Sequence, residues 1–98
     1  MDILITEEAK KQFDKILENS EHKYIRIYKN RPSIYEDAKL DFMLDEMKED
    51  DELHEVDGYK IIINKRLGCQ IFFMNISYGG LMSRDKFSIE CDIGLLHF

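Results

Sequence analysis

The chain has 98 residues, which predicts a single domain spanning residues 1–98 with one small core and no need for disulfide or metal support. Its 44% hydrophobic and 35% charged residues are typical of a globular protein and exclude a disordered one. The net charge of −6 argues against a nucleic-acid or anionic-membrane surface, because phosphate binding depends largely on Lys and Arg.

Two features of the sequence indicate a cytoplasmic protein. The N-terminal segment lacks a basic region followed by a long apolar run, so we expect no signal peptide, and no apolar run approaches the roughly 20 residues of a membrane span. Cys69 and Cys91 are too few for a disulfide framework. We therefore expect reduced thiols, although the sequence leaves a single disulfide between the two open.

The first half of the chain predicts a strand, a helix and two more strands. Residues 2–5 form a short edge strand, and Thr6 is an N-cap that precedes two glutamates in the first helical turn, where the helix dipole favours negative charge. Apolar residues recur at helical spacing until the helix ends near Asn19 and Ser20. Alternation of apolar and polar residues predicts strands at 24–29 and 40–45, with a loop at 34–39 between them.

The clearest local signal is a β-hairpin at residues 53–65. Asp57-Gly58 is the pair that a two-residue type I′ turn requires, because both central residues take positive φ. Tyr59, Ile61 and Ile63 form an apolar face on the second strand. An isolated hairpin is only marginally stable, so we expect other elements to pack against it.

The second half predicts a connection with at most one helical turn at 66–69, a strand at 71–78 and a last strand at 87–92. Both faces of the strand at 71–78 carry aromatic residues, which favours a central position, and the apolar tail at 93–98 is expected to dock. One helix followed by about six strands with short connections predicts a mainly β fold. We expect a small antiparallel β-sandwich or pseudo-barrel with the N-terminal helix packed on its side.

The polar residues give few catalytic signals. Eight carboxylates lie between Asp45 and Asp57 without the alternation of a calcium loop, so we expect a solvated acidic turn, with a metal site or a site for a basic partner as the alternative. His22, His54 and His97 show no ligand spacing and fit solvent-facing or tail positions. With no catalytic motif in the chain, we do not predict an enzyme.

The order of these elements resembles the HesB-like domain of A-type iron–sulfur carriers, the IscA-like family. The resemblance covers nearly the whole chain. ILITEEAKKQFDKIL is similar to the family's first strand, Thr cap and helix, and IRIYKN to its Leu-Arg-Ile strand. FMLDEMKEDDELHEVDGYKIIIN is similar to its Leu-Asp-Glu strand, acidic turn and Val-Asp-Gly hairpin, and ISY and FSIE to its last strand pair.

In that family three cysteines bind the cluster, because soft thiolates suit iron and iron–sulfur clusters. One lies in a Gly-rich loop before the Leu-Asp-Glu strand, and two form a Cys-Gly-Cys near the C-terminus. The register of the resemblance places the first at about Tyr35, or at Ile34, in a loop that contains neither Gly nor Cys. Beyond the strand at 87–90 the chain has CDIGLLHF. The resemblance therefore implies a divergent member without the standard ligands, and we expect no cofactor.

Cys69 and Cys91 remain weak candidates for iron or cluster ligands, with ordinary half-buried cysteines as the alternative. The resemblance implies a role in iron–sulfur cluster biogenesis or iron handling, acting as a monomer or homodimer through partner proteins of iron–sulfur assembly. The alternative is a small partner- or ligand-binding module that reuses the fold through the altered loop at 30–37. Tyr28, Arg31 and Tyr35 would then be its anchors.

Overall fold

The computed structural model describes residues 1–30, 39–79 and 86–91. Within these ranges the chain forms seven strands and two helices. In chain order they are β1 (Asp2–Ile5), α1 (Glu7–Glu18), β2 (Tyr24–Asn30), β3 (Lys39–Asp45), β4 (Asp51–Val56), β5 (Tyr59–Asn64), α2 (Lys65–Gly68), β6 (Phe73–Tyr78) and β7 (Phe87–Cys91).

The strands form two sheets, and this confirms the predicted mainly β fold with an N-terminal helix. One sheet has the order β1-β6-β7 and the other the order β3-β2-β5-β4. Both sheets are mixed, because β1 pairs with β6 and β2 with β5 in parallel while the other pairs are antiparallel. The short connections along the chain did not predict the two parallel pairs, which join strands far apart in sequence.

Helix α1 begins and ends at the capping residues that the sequence predicts. The Thr6 side chain accepts a hydrogen bond from the Ala9 amide at 3.3 Å, and Asn19 caps the other end with its own amide bonded to the Leu17 carbonyl. Phe13 on its apolar face is fully buried and lies 4.8 Å from the Phe87 ring and 5.3 Å from the Phe42 ring, measured between centroids. The helix thus packs between aromatic residues of both sheets.

The predicted hairpin is confirmed and attaches to the helix. Asp57 and Gly58 have φ of 52° and 89°, as a type I′ turn requires, and they join β4 to β5. The Asp57 carboxylate lies 3.0 Å from Lys10 Nζ. The Tyr59 hydroxyl lies 2.6 Å from Asp14 Oδ1 and 3.1 Å from the Lys10 carbonyl, and donates its single proton to one of them at a time.

The core lies between α1 and the inner faces of the two sheets. Its fully buried members come from α1, β2, β5 and β6; the largest are Phe13, Ile25, Ile27, Ile61, Ile63, Met74 and Ile76. Ile62 is equally buried but points to the opposite face of its sheet, away from this cluster. Something other than the core must therefore cover it.

The later elements also follow the prediction closely. The strand expected at 71–78 begins at Phe73 and is the central strand of its sheet, and α2 is the single helical turn expected before it. The residues of the tail at 93–98, and 34–38 of the loop expected at 34–39, lie outside the described residues. Neither described helix is long and apolar enough to cross a membrane.

Candidate functional site

One end of the four-stranded sheet carries the end of β2, the start of β3 and helix α2; we call it the α2 end. Strand β2 ends there at Asn30, which pairs with Lys39 at the start of β3, so the chain leaves and re-enters the sheet at this point. Helix α2 follows β5 at the same end, because β5 runs parallel to β2. Strand β7 ends at Cys91 beside Met74, close to where β6 begins after α2.

Cys69 lies at the surface of this end. It is the C-cap of α2, its amide donates to the Lys65 carbonyl at 3.0 Å, and its thiol donates to the Arg66 carbonyl at 3.2 Å. The side chain is exposed. A thiol in this position is open to an incoming ligand or metal.

Cys91 has a different environment. Its register partner is the buried Met74, and it packs at the margin of the hydrophobic core while its neighbour Glu90 is exposed. Neither Cys69 nor Cys91 is in a disulfide. Across residues 1–30, 39–79 and 86–91, no group of three or more His, Cys, Asp or Glu side chains is arranged to hold a metal ion. The metal-ligand candidacy of the two cysteines stays a prediction.

Of the three predicted partner-binding anchors, only Tyr28 belongs to the described part of the chain. It lies in β2 opposite Asp41 and is half-buried on the face that points away from the core. Arg31 and Tyr35 lie outside the described residues. Tyr28 lies two residues before Asn30, the last residue of β2.

The two histidines of the described residues lie in different environments. His22 is exposed, with Nδ1 4.0 Å from Glu46 Oε1. His54 is half-buried, not solvent-facing as expected; its Nε2 lies 3.4 Å from Glu52 Oε1 without hydrogen-bond geometry. His97 lies outside the described residues.

Two adjoining surface pockets surround α2. One of about 320 Å³ is lined by Lys29, Asn64, Arg66, Leu67 and Gln70. The other, of about 420 Å³, is lined by Asp50, Asn64, Lys65 and Arg66. Asn64 and Arg66 border both, and the Asn64 side chain accepts the Arg66 amide at 2.9 Å. Three cations against one carboxylate favour an anionic group in these pockets.

The acidic segment after β3 has a structural role that the sequence did not reveal. Strands β3 and β4 are opposite edges of their sheet, and β3 ends beside Tyr24 whereas β4 begins beside Asn64. Residues 46–50 must therefore cross the outer face of the sheet diagonally; we call them the strap. The strap lies over the middle of β2 and β5, which explains why Ile62 is buried on that face.

Arg26 fastens the strap to the sheet. Its Nη1 and Nη2 donate to the two oxygens of Asp51 at 2.7 and 2.6 Å, its Nε donates to Asp45 at 2.7 Å, and Nη2 also reaches the Glu46 carbonyl at 3.0 Å. Asp51 further accepts the Lys48 amide at 2.8 Å. The expected solvated turn is thus wrong for Asp51, whose side chain is only 2% exposed.

Electrostatics in this cluster follow from the contacts. The guanidinium of Arg26, helped by the Lys48 amide, holds the pKa of Asp51 below its usual value. The Glu46 amide and, to a smaller extent, Arg26 also lower the pKa of Asp45. Both carboxylates are therefore charged at neutral pH and stabilise the strap.

Comparisons with known proteins bear on the fold. No family description matches the chain, and no curated protein is a significant match. The crystal structure of IscA with the 2Fe–2S cluster is similar with a TM-score of 0.70 and 21% identity, covering 91% of this chain and 84% of IscA. That of Escherichia coli SufA, involved in biosynthesis of iron–sulfur clusters, has a TM-score of 0.66 and 18% identity, covering 95% and 89%. Over nearly its whole length the chain has the IscA-like HesB fold, as the sequence resemblance predicted.

Proposed function

We propose that this protein takes part in iron–sulfur cluster biogenesis or iron handling without carrying a cluster through the three standard cysteines. The observation that supports the role is the likeness to IscA with its cluster and to SufA, which extends over more than nine-tenths of this chain. Fold alone does not determine function, so the role requires a direct test. Two cysteines outside a disulfide suit the reducing cytoplasm, where we place the protein.

The proposed loss of cluster binding rests on residue chemistry. By the resemblance, the first family cysteine falls at about Tyr35, and a phenol does not replace a soft thiolate at an iron–sulfur cluster. The segment after Glu90 offers only Cys91 in place of a Cys-Gly-Cys pair. The segment that carries Tyr35 leaves the described sheets at the α2 end, so this end corresponds to the family's cluster site in the proposal.

Reconstitution with ferrous iron and sulfide under anaerobic conditions tests this absence. We expect no stoichiometric visible absorbance from the wild-type protein, and the same spectrum from Cys69→Ser and Cys91→Ser. A stoichiometric cluster that Cys91→Ser or Cys69→Ser abolishes would show that the two thiols are ligands after all. Sedimentation of the same samples distinguishes a monomer from a homodimer.

The role in assembly has its own test. Cluster-loaded IscA is mixed with an apo-ferredoxin acceptor, and cluster transfer is followed by circular dichroism with and without this protein. We expect the protein to change the transfer rate in a saturable manner. An unchanged rate, together with no detectable binding to either protein, contradicts a role in cluster biogenesis, whatever the reconstitution shows.

The cationic pockets favour a second candidate, a small partner- or ligand-binding module that reuses the fold through the loop at 30–37. Lys29 and Arg66 line a pocket beside Asn30, where that segment leaves the sheet. A pull-down with wild type and with the Arg31→Ala/Tyr35→Ala double variant tests the site. Loss of a specific partner supports it, and identical partners in both samples contradict it.

A further inference from the structure

The outer face of the four-stranded sheet, with the strap that crosses it, is a second surface with distinctive properties. Its side chains are those that alternate with the core residues on β2 to β5, plus residues 46–50. Met43 and Leu53 lie at opposite edges of one row across this face, with Arg26 and Ile62 between them. Three strand spacings separate the edges by about 14 Å.

Large apolar side chains are exposed on this face. Met43 is 46% exposed, Met47 in the strap 43% and Leu53 38%. Met47 belongs to the strap, which runs diagonally between Met43 and Leu53, so these two side chains flank it on opposite sides. Tyr28 and Tyr24 lie on the same face and are half-buried. Exposed apolar groups of this kind mark interaction sites, and methionine adapts its shape to a partner.

The same face carries half of the net negative charge of the protein. Seven carboxylates lie on it against four cations, a local net charge of −3 out of −6 for the chain. The carboxylates are Asp41, Asp45, Glu46, Glu49, Asp50, Asp51 and Glu55, and the cations are Arg26, Lys39, Lys48 and Lys60.

Three of the four cations of this face are already engaged, and the fourth, Lys39, lies at the start of β3 beside Asn30, away from the strap; three carboxylates are not engaged. Arg26 is held by Asp45 and Asp51, Lys48 lies 3.9 Å from Asp45, and Lys60 lies over the Tyr24 ring at 5.7 Å. Glu49, Asp50 and Glu55 are exposed and make no ion pair within the described part of the chain. Their charge is therefore available to a partner.

We propose that the outer face is a docking surface for a basic, amphipathic segment of a partner protein. The apolar side chains of the segment pack on Met43, Met47 and Leu53, and its Lys or Arg residues lie near Glu49, Asp50 and Glu55. Charge complementarity selects this occupant over a second copy of the same acidic face, which would be repelled. The inference is independent of the iron–sulfur proposal, because it requires only the charge and apolar content of the face.

A synthetic amphipathic peptide with a leucine face and a lysine face is the probe, and its matched glutamate version is the control. Binding of the wild-type protein is measured by fluorescence anisotropy, and amide chemical shifts locate the peptide. We expect the lysine peptide alone to bind, with shifts on β3, the strap and β4, and with affinity that falls as salt screens the charges.

Two variants test the two components of the surface. The triple variant Glu49→Gln/Asp50→Asn/Glu55→Gln should weaken binding about tenfold through lost charge. Its matched control, Glu8→Gln/Glu18→Gln/Glu21→Gln, removes three exposed carboxylates elsewhere and should bind within about twofold of wild type.

Met43→Gln/Met47→Gln should also weaken binding about tenfold, because a polar amide in place of an apolar anchor removes much of the contact energy. Leu4→Gln/Phe73→Gln, on exposed residues of the other sheet, is its control and should leave binding intact. Equal losses in test and control variants, equal binding of the glutamate peptide, or shifts confined to the β1-β6-β7 sheet would overturn the proposal. So would a dimer that Met47→Gln dissociates, because the occupant would then be a second copy.

Discussion

Replacing Arg26 with Met tests whether the strap is held by the cluster described above. The variant removes four hydrogen bonds and leaves Asp51, with its side chain 2% exposed, supported by the Lys48 amide alone. Breaking a buried ion pair by removing one partner costs about 3–5 kcal/mol. The Arg26 side chain is 12% exposed in the folded protein, so water partly compensates for the lost hydrogen bonds. We expect the lower value, about 3 kcal/mol of unfolding free energy.

Urea unfolding followed by far-UV circular dichroism measures this loss. For a chain of this size a loss of about 3 kcal/mol corresponds to a drop of at least 12 °C in Tm. Lys48→Met is the matched control, because Lys48 is 69% exposed and lies 3.9 Å from the same Asp45. We expect it to cost at most about 0.5 kcal/mol, as exposed pairs do.

A double-mutant cycle with Asp51→Asn isolates the pair. We expect the double variant to lose less stability than the two single variants together, with a coupling of at least about 1 kcal/mol, because the second substitution removes the charge that the first leaves unpaired. Additive losses, or an Arg26→Met variant no less stable than Lys48→Met, would refute the claim that Arg26 fastens the strap.

Three further predictions follow from the contacts. The folded-state pKa of Asp51 lies below its usual 3.8, so its contribution to the unfolding free energy is present above pH 3.8 and should be lost as the pH falls through the folded-state pKa. Urea midpoints should therefore fall between pH 6 and 2, roughly the range of this titration, and they should fall less in Arg26→Met than in the wild-type protein. Burial and Asp14 raise the pKa of Tyr59 to about 12, so ultraviolet titration should show a late phase from Tyr59, and the unfolding free energy should decline from pH 10 to 12. Tyr59→Phe should lower the unfolding free energy by about 1.5 kcal/mol and remove this late phase. Gly58→Ala should lower the unfolding free energy by about 1 kcal/mol, because a residue with a side chain is strained at a φ of 89°. An unchanged midpoint of urea unfolding would contradict the type I′ turn.

Local chemistry explains which parts of the fold were predictable. The Thr6 cap, the Asp57-Gly58 turn and the alternation along each strand act over a few residues, and all appear where the sequence places them. The parallel pairing of β2 with β5 is different, because it joins strands separated by a long stretch of chain. Such pairing depends on which faces meet in the core and leaves no periodic signal.

The acidic segment illustrates the same limit at the level of single residues. A run of carboxylates ordinarily indicates a solvated surface, and Glu49 and Asp50 fit that expectation. Asp51 does not, because its partner Arg26 is 25 residues away and meets it only when the strap crosses the sheet. The resemblance to HesB-like domains predicted the fold, and the similarity to IscA and SufA confirms it, but neither the resemblance nor the periodicity predicted the parallel strand pairs.

The strap also connects the two surfaces that carry the proposals. Asp50 lines a pocket at the α2 end, and its carbonyl accepts the Lys65 amide at 2.8 Å where α2 begins. The next residue is Asp51, which Arg26 holds against the sheet. A partner on the outer face thus contacts the same short segment that positions α2 and, through the Lys65 carbonyl, the amide of Cys69. The acidic face and the cationic end are therefore parts of one framework that Arg26 fixes in place.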